Sequence, residues 1–456
     1  MYICVIFAKN TFIMLIQFSL KNFKTFKERA SLNLFASNYD KDTRESENIL
    51  EDNKFNLRIL KSAVIYGANA SGKSKFIDAL AFMKLFVVSS SKESQKGDEI
   101  DVEPFRLSIV SENSPTEFEV IFTFNKIMYR YGFEVDKKQI VSEWLYRKPK
   151  TKEVELFYRD YQKFDVHPRN FAKGATIIKE GLVRNNALLL SVAAQFNDST
   201  SINVLEWFKN LKTISGLRED GYQGYTMGKI KDPSNKKKIL ELLKAADLGI
   251  QDIKLEMLDI EKLPKEMPKE LREKIIKESS EENTEFFSDI LTSHKKFDAS
   301  KRFIENVNFS LDNNESSGTQ KFFALTGPIL DVIENGYILV VDELDSKLHP
   351  NLVCKIVSLF NSKELNPKNA QLIFNTQDTN LLSSGLFRRD QIWFTEKDKF
   401  GEARLYSLAD FKSDEVRKTE AFEENYIKGK YGAVPFLGFF DNLIYKKLLE
   451  QDENEK

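Results

Sequence analysis

The stretch KSAVIYGANASGKSKFIDALAFMKLF, residues 61–86, decides the architecture of this chain. Its opening apolar run, Ala63 to Tyr66, reads as a short buried strand. From Lys73 onward, apolar residues at Phe76, Ile77, Leu80, Met83 and Leu85 read as a helix. Between the two, Gly67–Ser74 spells GANASGKS, a full match to G-x-x-x-x-G-K-[ST]. A strand before and a helix after separate a phosphate-binding loop from a chance glycine-rich turn. Gly67 and Gly72 let the backbone close around phosphate oxygens. The loop residues Ala68, Asn69, Ala70 and Ser71 and the helix N-terminus offer backbone N–H groups with positive partial charge. Lys73 is expected on the β- and γ-phosphates of ATP, and the Ser74 hydroxyl on Mg²⁺.

A second motif, YILVVDELDSKLHP at 337–350, runs four apolar residues into Asp342 and Glu343. Alone, that pattern describes any strand meeting a solvated loop. Following a phosphate loop in the same chain, it reads as a strand whose C-terminal edge faces the ligand. Asp342 is then expected to hold Mg²⁺, and Glu343 to orient or deprotonate an attacking water. A third motif, NNESSGTQKFFAL at 313–325, has two readings. One is a plain helix cap at Ser316 or Ser317; the other is a phosphate contact at a helix N-terminus.

The remaining chain reads around these motifs. Residues 14–35 give one or two strands, and 36–58 a polar, irregular excursion. EFEVIFTFN, MYRYGFEV and IVSEWLYR within 117–146 alternate as antiparallel hairpins. Residues 182–211 turn helical, and 228–300 form a charged stretch broken by prolines at 233, 264 and 268, with no sustained heptads. YILVVD and QLIFNT (371–376), with a helix over about 350–361 between them, imply a parallel sheet buried on both faces.

Composition narrows the class. The 456 residues are 41% hydrophobic and 30% charged, enough for a large core, and 68 basic side chains face 69 acidic ones, so no global basic excess points to nucleic acid. Cys4 and Cys354 make neither a metal spacing nor a disulfide framework, which fits a reducing, cytoplasmic setting. With only His167, His294 and His349, a multi-histidine metal site is not expected. The apolar N-terminus is interrupted by Lys9, Asn10 and Thr11, short of the roughly 20 apolar residues of a membrane span, so no membrane role is expected. Met14 reads as the natural start and residues 1–13 as an upstream extension.

GANASGKS, ESSGT at 315–319 and DELDSKLHP, in this order, resemble the ABC-type ATPase heads of the SMC, RecF and OLD groups, and more closely the standalone bacterial AAA family ATPases of phage-defence and abortive-infection operons. LIQFSLKNFKTFKE, PFRL at 104–107 and GKYGAVP at 429–435 support the resemblance, which runs from Met14 to about residue 440. It implies an α/β fold: a P-loop NTPase with an ABC-like head, an antiparallel β N-lobe and a helical insertion. The expected division is 14–200 and 301–410 for the two parts of the head, 201–300 for a charged helical insertion and 411–456 for a helical tail. It makes ESSGT a degenerate signature, with Ser316, Ser317 and Gly318 contacting ATP held by the opposite subunit, and Asp345 the D-loop aspartate. A homodimer or larger ring is then implied. Where the family usually has His after the strand QLIF, this chain has Gln377, which can hydrogen-bond a phosphate or water but cannot become cationic. A Q-loop glutamine has one weak candidate, Gln195.

The expected function is therefore a Mg²⁺-dependent ATPase, a nucleotide-driven dimerising switch beside a Toprim- or RloB-like effector or on DNA. Two alternatives remain open: a slowly hydrolysing scaffold or sensor, favoured by Gln377, and a RecF-like DNA clamp using Lys236–Lys238 and Lys265–Lys277. The acidic residues Asp410, Asp414, Glu415, Glu420, Glu423 and Glu424 read as solvated faces.

Overall fold

The computed structural model describes residues 13–38, 42–93, 95–218, 220–257, 268–270, 272–273, 287–412, 416–417 and 420–435. Residues 1–12 of the proposed extension, with Cys4, most of Lys265–Lys277, Asp414, Glu415 and most of the 411–456 tail lie outside them. The chain divides into two compact units. The first holds Met1–Thr213, Gly336–Glu343 and Ile356–Lys456; the second holds Ile214–Asn335 and Leu344–Lys355.

The first unit opens with strands β1 (Ile13–Lys21) and β2 (Ala30–Asn33). The segment expected as an irregular excursion instead contains a hairpin, β3 (Ile49–Asp52) and β4 (Leu57–Leu60). Its apolar residues, Ile49, Leu50, Phe55, Leu57, Ile59 and Leu60, are split by the polar run Glu51–Lys54 and do not show as a clear alternation in the sequence. The buried strand β5 (Ser62–Gly67) delivers the phosphate loop. Five strands follow: β6 (Thr116–Phe124), β7 (Ile127–Val135), β8 (Ile140–Lys148), β9 (Val154–Asp160) and β10 (Lys163–Val166). After β11 (Leu211–Ser215) the chain makes β12 (Asp252–Met257), β13 (Phe287–Phe297) and β14 (Phe303–Ser310), and then β15 (Ile338–Asp342), β16 (Gln371–Asn375), β17 (Ile392–Lys397) and β18 (Ala403–Ser407).

Two large sheets build the first unit beside the β3-β4 hairpin. One is antiparallel, in the order β10-β9-β8-β7-β6-β1-β2; the other runs β11-β15-β16-β5-β17-β18. In the second sheet β15, β16, β5 and β17 are mutually parallel and β18 is antiparallel. The strand ending in Asp342 is thus one strand removed from the phosphate-loop strand. The helix Lys73–Ser89 lies between the sheets. Phe76 meets Phe18 of β1 at 5.4 Å, and Phe82 meets Phe118 of β6 at 5.2 Å. Its apolar residues surround it rather than forming one stripe, as expected for a helix buried on both sides.

One buried side chain ties the two sheets. Gln371, at the start of β16, accepts from the N–H of Leu15 at 2.7 Å and donates to the carbonyls of Leu15 at 3.1 Å and Leu60 at 2.9 Å. β1 is bulged between Leu15 and Gln17 against β6. A second buried device is Glu143 on β8, fully enclosed beside Arg159. It accepts from the N–H groups of Leu189 and Leu190, the start of the helix Leu189–Gln195. Burial pushes its carboxyl up, against the pull of Arg159.

The second unit is mixed. The helices Asp220–Ile230 and Pro233–Ala245 fall where helix was expected, but a three-stranded antiparallel sheet, β12-β13-β14, occupies part of the proposed helical insertion. The high charge of that segment masked the alternation of its strands. The long helix Ser317–Asn335 carries Pro328 in its interior. Proline has no N–H for the carbonyl four residues back. Here Thr226 Oγ1 donates to that carbonyl, Ala324 O, at 2.7 Å, and accepts from Gly327 N at 3.2 Å. A Cβ on Gly327 would lie 2.8 Å from Thr226 Cα, so glycine permits this approach.

Two outcomes follow. Gln371→Leu leaves three buried backbone groups unsatisfied and is expected to cost about 3 kcal/mol or more, read as a lower urea midpoint by circular dichroism. Thr226→Val strands the Ala324 carbonyl and is expected to cost about 1–3 kcal/mol, whereas the same change paired with Pro328→Ala recovers most of that loss.

Candidate functional site

The phosphate loop has the backbone its sequence demands. Gly67 has φ +156° and Gly72 has φ +116°. A Cβ at Gly67 would fall 2.4 Å from Thr395 O, and one at Gly72 would press at 3.1 Å on Ala403 Cβ and Thr25 Oγ1. Ser71 Oγ shares a 2.6 Å hydrogen bond with Thr395 Oγ1 on β17, and Ala70 takes φ +62°. Lys73 is buried, and its ammonium donates to Gly67 O at 2.6 Å and Ala68 O at 3.2 Å. The cation therefore already sits inside the loop that a polyphosphate would enter.

Asn69, Ala70, Ser71, Gly72, Lys73 and Ser74 line one cleft of about 540 Å³ together with Glu343 and Gln377. Thr25 and Lys397, which the sequence did not single out, line it too. Gly67 and Ala68 stand behind the loop as acceptors of the Lys73 ammonium. Asp342 is not among the lining residues; it is held behind Glu343 by Asn375. Asn375 Nδ2 donates to Asp342 Oδ1 at 2.5 Å, and Asn375 Oδ1 accepts from Glu343 N at 2.6 Å. One fully buried amide at the end of β16 thus fixes both acids at the end of β15. Glu343 itself has φ +54°, a conformation costly for a side-chain-bearing residue and typical of functional sites. Gln377 is exposed to the cleft, and its neighbours are pinned: Thr376 N donates to Ile65 O at 3.2 Å and the Tyr66 hydroxyl to Asp378 O at 3.1 Å. Gln195 is exposed at its helix end and does not line the cleft.

The C-terminal motif GKYGAVP supports the loop from behind. Tyr426 stacks on Phe394 at 5.3 Å and packs against Tyr66 at 5.6 Å, and its hydroxyl donates to Ala433 O at 3.1 Å. Burial pushes its phenol up to about 12, so it remains a donor at neutral pH. The Tyr406 hydroxyl donates to Tyr431 O at 2.8 Å, and a Cβ on Gly432 would strike that hydroxyl at 2.7 Å.

Ser316, Ser317, Gly318 and Asp345 belong to the second unit. Ser316 is the cap of its helix: Thr319 N donates to Ser316 Oγ at 3.2 Å. Ser316 and Ser317 are nevertheless exposed, so the cap buries neither serine. A Cβ on Gly318 would meet Lys347 O at 2.8 Å. Lys321, fully buried one turn on, donates to Leu344 O at 3.1 Å and Ser346 O at 2.5 Å, the carbonyls on either side of Asp345. The signature turn and the Asp345 loop therefore form one packed element.

The cleft fits a nucleoside triphosphate with Mg²⁺. Its loop excludes side chains at Gly72, it carries a buried ammonium, and the Thr25 hydroxyl on its wall is buried without a hydrogen-bond partner. Ser74 and Asp342 are the residues that would hold Mg²⁺ together with oxygens of the ligand; among the described residues no group of three or more His, Cys, Asp or Glu side chains is placed to hold a metal. Of the C-terminal acids, Glu420 pairs with Lys430 at 2.8 Å and Glu424 with Lys428 at 2.5 Å, while Asp410 accepts from Ser407 N at 2.8 Å.

A phosphate loop on β5, a parallel neighbour β16, and an Asp-Glu pair ending β15 define the nucleotide-binding head of a P-loop NTPase of the ABC-like class. The chain belongs to the family described as "AAA domain, putative AbiEii toxin, Type IV TA system", which matches residues 62–383. Similar solved structures include the SMC head domain from Thermotoga maritima, with 13% identity, a TM-score of 0.40, and coverage of 86% of this chain and 98% of that one. They also include an Smc head domain with an extended coiled coil bound to the C-terminal domain of ScpA derived from Pyrococcus furiosus, with 14% identity, a TM-score of 0.33, and coverage of 87% and 96%. No curated protein matches the chain.

Asn375→Ala is expected to lower nucleotide turnover by about 10–100-fold, the usual effect of removing a group that orients a metal ligand. Phosphate release, measured beside nucleotide affinity, checks it: affinity should stay within about threefold, because the loop that grips the phosphates does not touch Asn375.

Proposed function

We propose that the protein is an ATPase whose two heads close over ATP and open again after hydrolysis. The observation that supports it best is the single cleft shared by Lys73, Ser74, Glu343 and Gln377. Lys73 and the loop N–H groups hold the phosphates, and Ser74 with Asp342 holds Mg²⁺. Bound Mg-ATP supplies a phosphoanhydride bond whose cleavage makes the cycle directional. Glu343 takes the proton of the attacking water, and Gln377 orients that water or a phosphate oxygen by hydrogen bonding. Lys73 exchanges its two loop carbonyls for phosphate, which avoids burying a bare cation at any stage.

The second unit supports a paired arrangement. Ser316, Ser317, Gly318 and Asp345 form one packed element, suited to completing the site of a second copy and being held there by γ-phosphate contacts. No helix among the described residues is long and apolar enough to cross a membrane; the switch is proposed to be cytoplasmic. The family's description names a "putative AbiEii toxin" of a type IV toxin–antitoxin system, which supports a place in a defence complex; a separate Toprim- or RloB-like effector beside it is part of this proposal.

The RecF-like DNA clamp gains less support. Lys236 is paired with Asp252 at 2.8 Å and Lys238 with Glu334 at 2.5 Å, so two of the three lysines in its first proposed stretch are already engaged. The scaffold or sensor reading keeps Gln377 in its favour, since a neutral switch residue suits slow turnover.

ATP turnover by wild type, Lys73→Ala and Glu343→Gln, with mass measured with and without ATP, separates these readings. We expect turnover only in wild type, loss of binding in Lys73→Ala, and an ATP-trapped dimer in Glu343→Gln. Binding without turnover or assembly in wild type would instead select the scaffold.

A further inference from the structure

The residue immediately before the signature serines is anchored to a sheet. Glu315 is only 10% exposed at its side chain, and two side chains of β13 converge on one of its oxygens. Thr292 Oγ1 donates to Glu315 Oε1 at 2.5 Å, and His294 Nε2 lies 2.6 Å from the same atom. The His294 ring is set against Phe309 of β14, with centroids 5.1 Å apart, and Thr292 is fully buried. The carbonyl of Glu315 is held as well, by Gln320 Nε2 at 3.2 Å. Thr292 and His294 are two apart on one strand, so both project from the same face of the sheet.

A cap needs none of this. Ser316 caps the helix with its own hydroxyl, and Glu315 contributes nothing to that bond. A carboxylate half-withdrawn from water and gripped by two donors is expensive to hold unless it fixes something. What it fixes is the main chain entering Ser316–Gly318.

We infer that His294 and Thr292 are positioning residues for the signature turn: through Glu315 they set the direction in which Ser316, Ser317 and Gly318 face a second copy. The inference rests on the paired-head reading above. It makes β13 a tether, so that the turn is aimed by the sheet and not by the helix alone. Neither residue touches the cleft of its own chain, so its removal weakens assembly without weakening nucleotide binding.

The test uses the full chain carrying Glu343→Gln, so that hydrolysis does not disperse the dimer. In that background His294→Ala, His294→Gln and Thr292→Val are compared by fluorescent ATP-analogue binding, by the protein concentration at half-dimerisation with ATP, and by thermal midpoint. His294→Ala and Thr292→Val should bind the analogue within about twofold of the parent and unfold within a few degrees of it. They should need about tenfold more protein to dimerise, the size of effect of losing one charge-assisted hydrogen bond. His294→Gln, whose amide still donates, should recover most of that loss. Equal dimerisation in parent and variants overturns the inference alone. So does a parallel loss of nucleotide binding or of thermal stability without rescue by Gln. A parent that binds the analogue yet stays monomeric overturns the paired-head reading, and this inference with it.

Discussion

A buried amide has to satisfy every one of its hydrogen bonds or cost the fold dearly, and Gln371 shows what that requirement achieves. It locks β16 to β1 and to the end of β4, so the two sheets of the first unit meet in one register. Four residues along the same strand, Asn375 applies the same chemistry at the cleft, holding Asp342 by its acid and Glu343 by its N–H. The spacing between the sheets and the placement of the acids are thus set by a single strand. The helix between the sheets inherits its position from that frame, and so does the loop that precedes it.

The sequence revealed the parts of this arrangement that depend on local chemistry. GANASGKS needs glycines where the backbone turns and a lysine where charge is wanted, and those needs are visible in eight letters. The strands of the antiparallel lobe declared themselves because Phe118, Val120, Phe122 and Phe124 alternate. What stayed hidden was set by distance along the chain. Gln371 and Leu15 are partners across most of the molecule, and Asn375 matters only because β16 pairs with β15. A polar residue ending an apolar strand beside the acidic one was the available signal. Thr25 and Lys397 gave none, since each reaches the cleft from a separate loop or strand end. In the second unit, charged residues on exposed faces of β12, β13 and β14 concealed strands within a stretch that read as helical. Lys321 looked like any lysine after a signature, yet it is fully buried against two carbonyls.

The two units divide the chemistry. The first carries a phosphate loop, a lysine already sheltered by its own carbonyls, and the acids. The second carries a capped serine turn and an aspartate loop bound to one another by Lys321 and by the close approach of Gly318 to Lys347. Lys73 with its loop carbonyls in the first unit, and Lys321 with the carbonyls of Leu344 and Ser346 in the second, each hold a local turn in place.

The proline in the helix Ser317–Asn335 has a bearing on how this chain varies over time. Pro328 frees a carbonyl, Thr226 takes it, and Gly327 makes room for the exchange. No one of the three is free to drift while the others stay. A lineage that first replaced Pro328 would regain the helical hydrogen bond and release position 226 to become any small apolar residue; the reverse order passes through a damaged intermediate. The three positions should then travel together among descendants, a dependence of order on history that originates in one missing N–H.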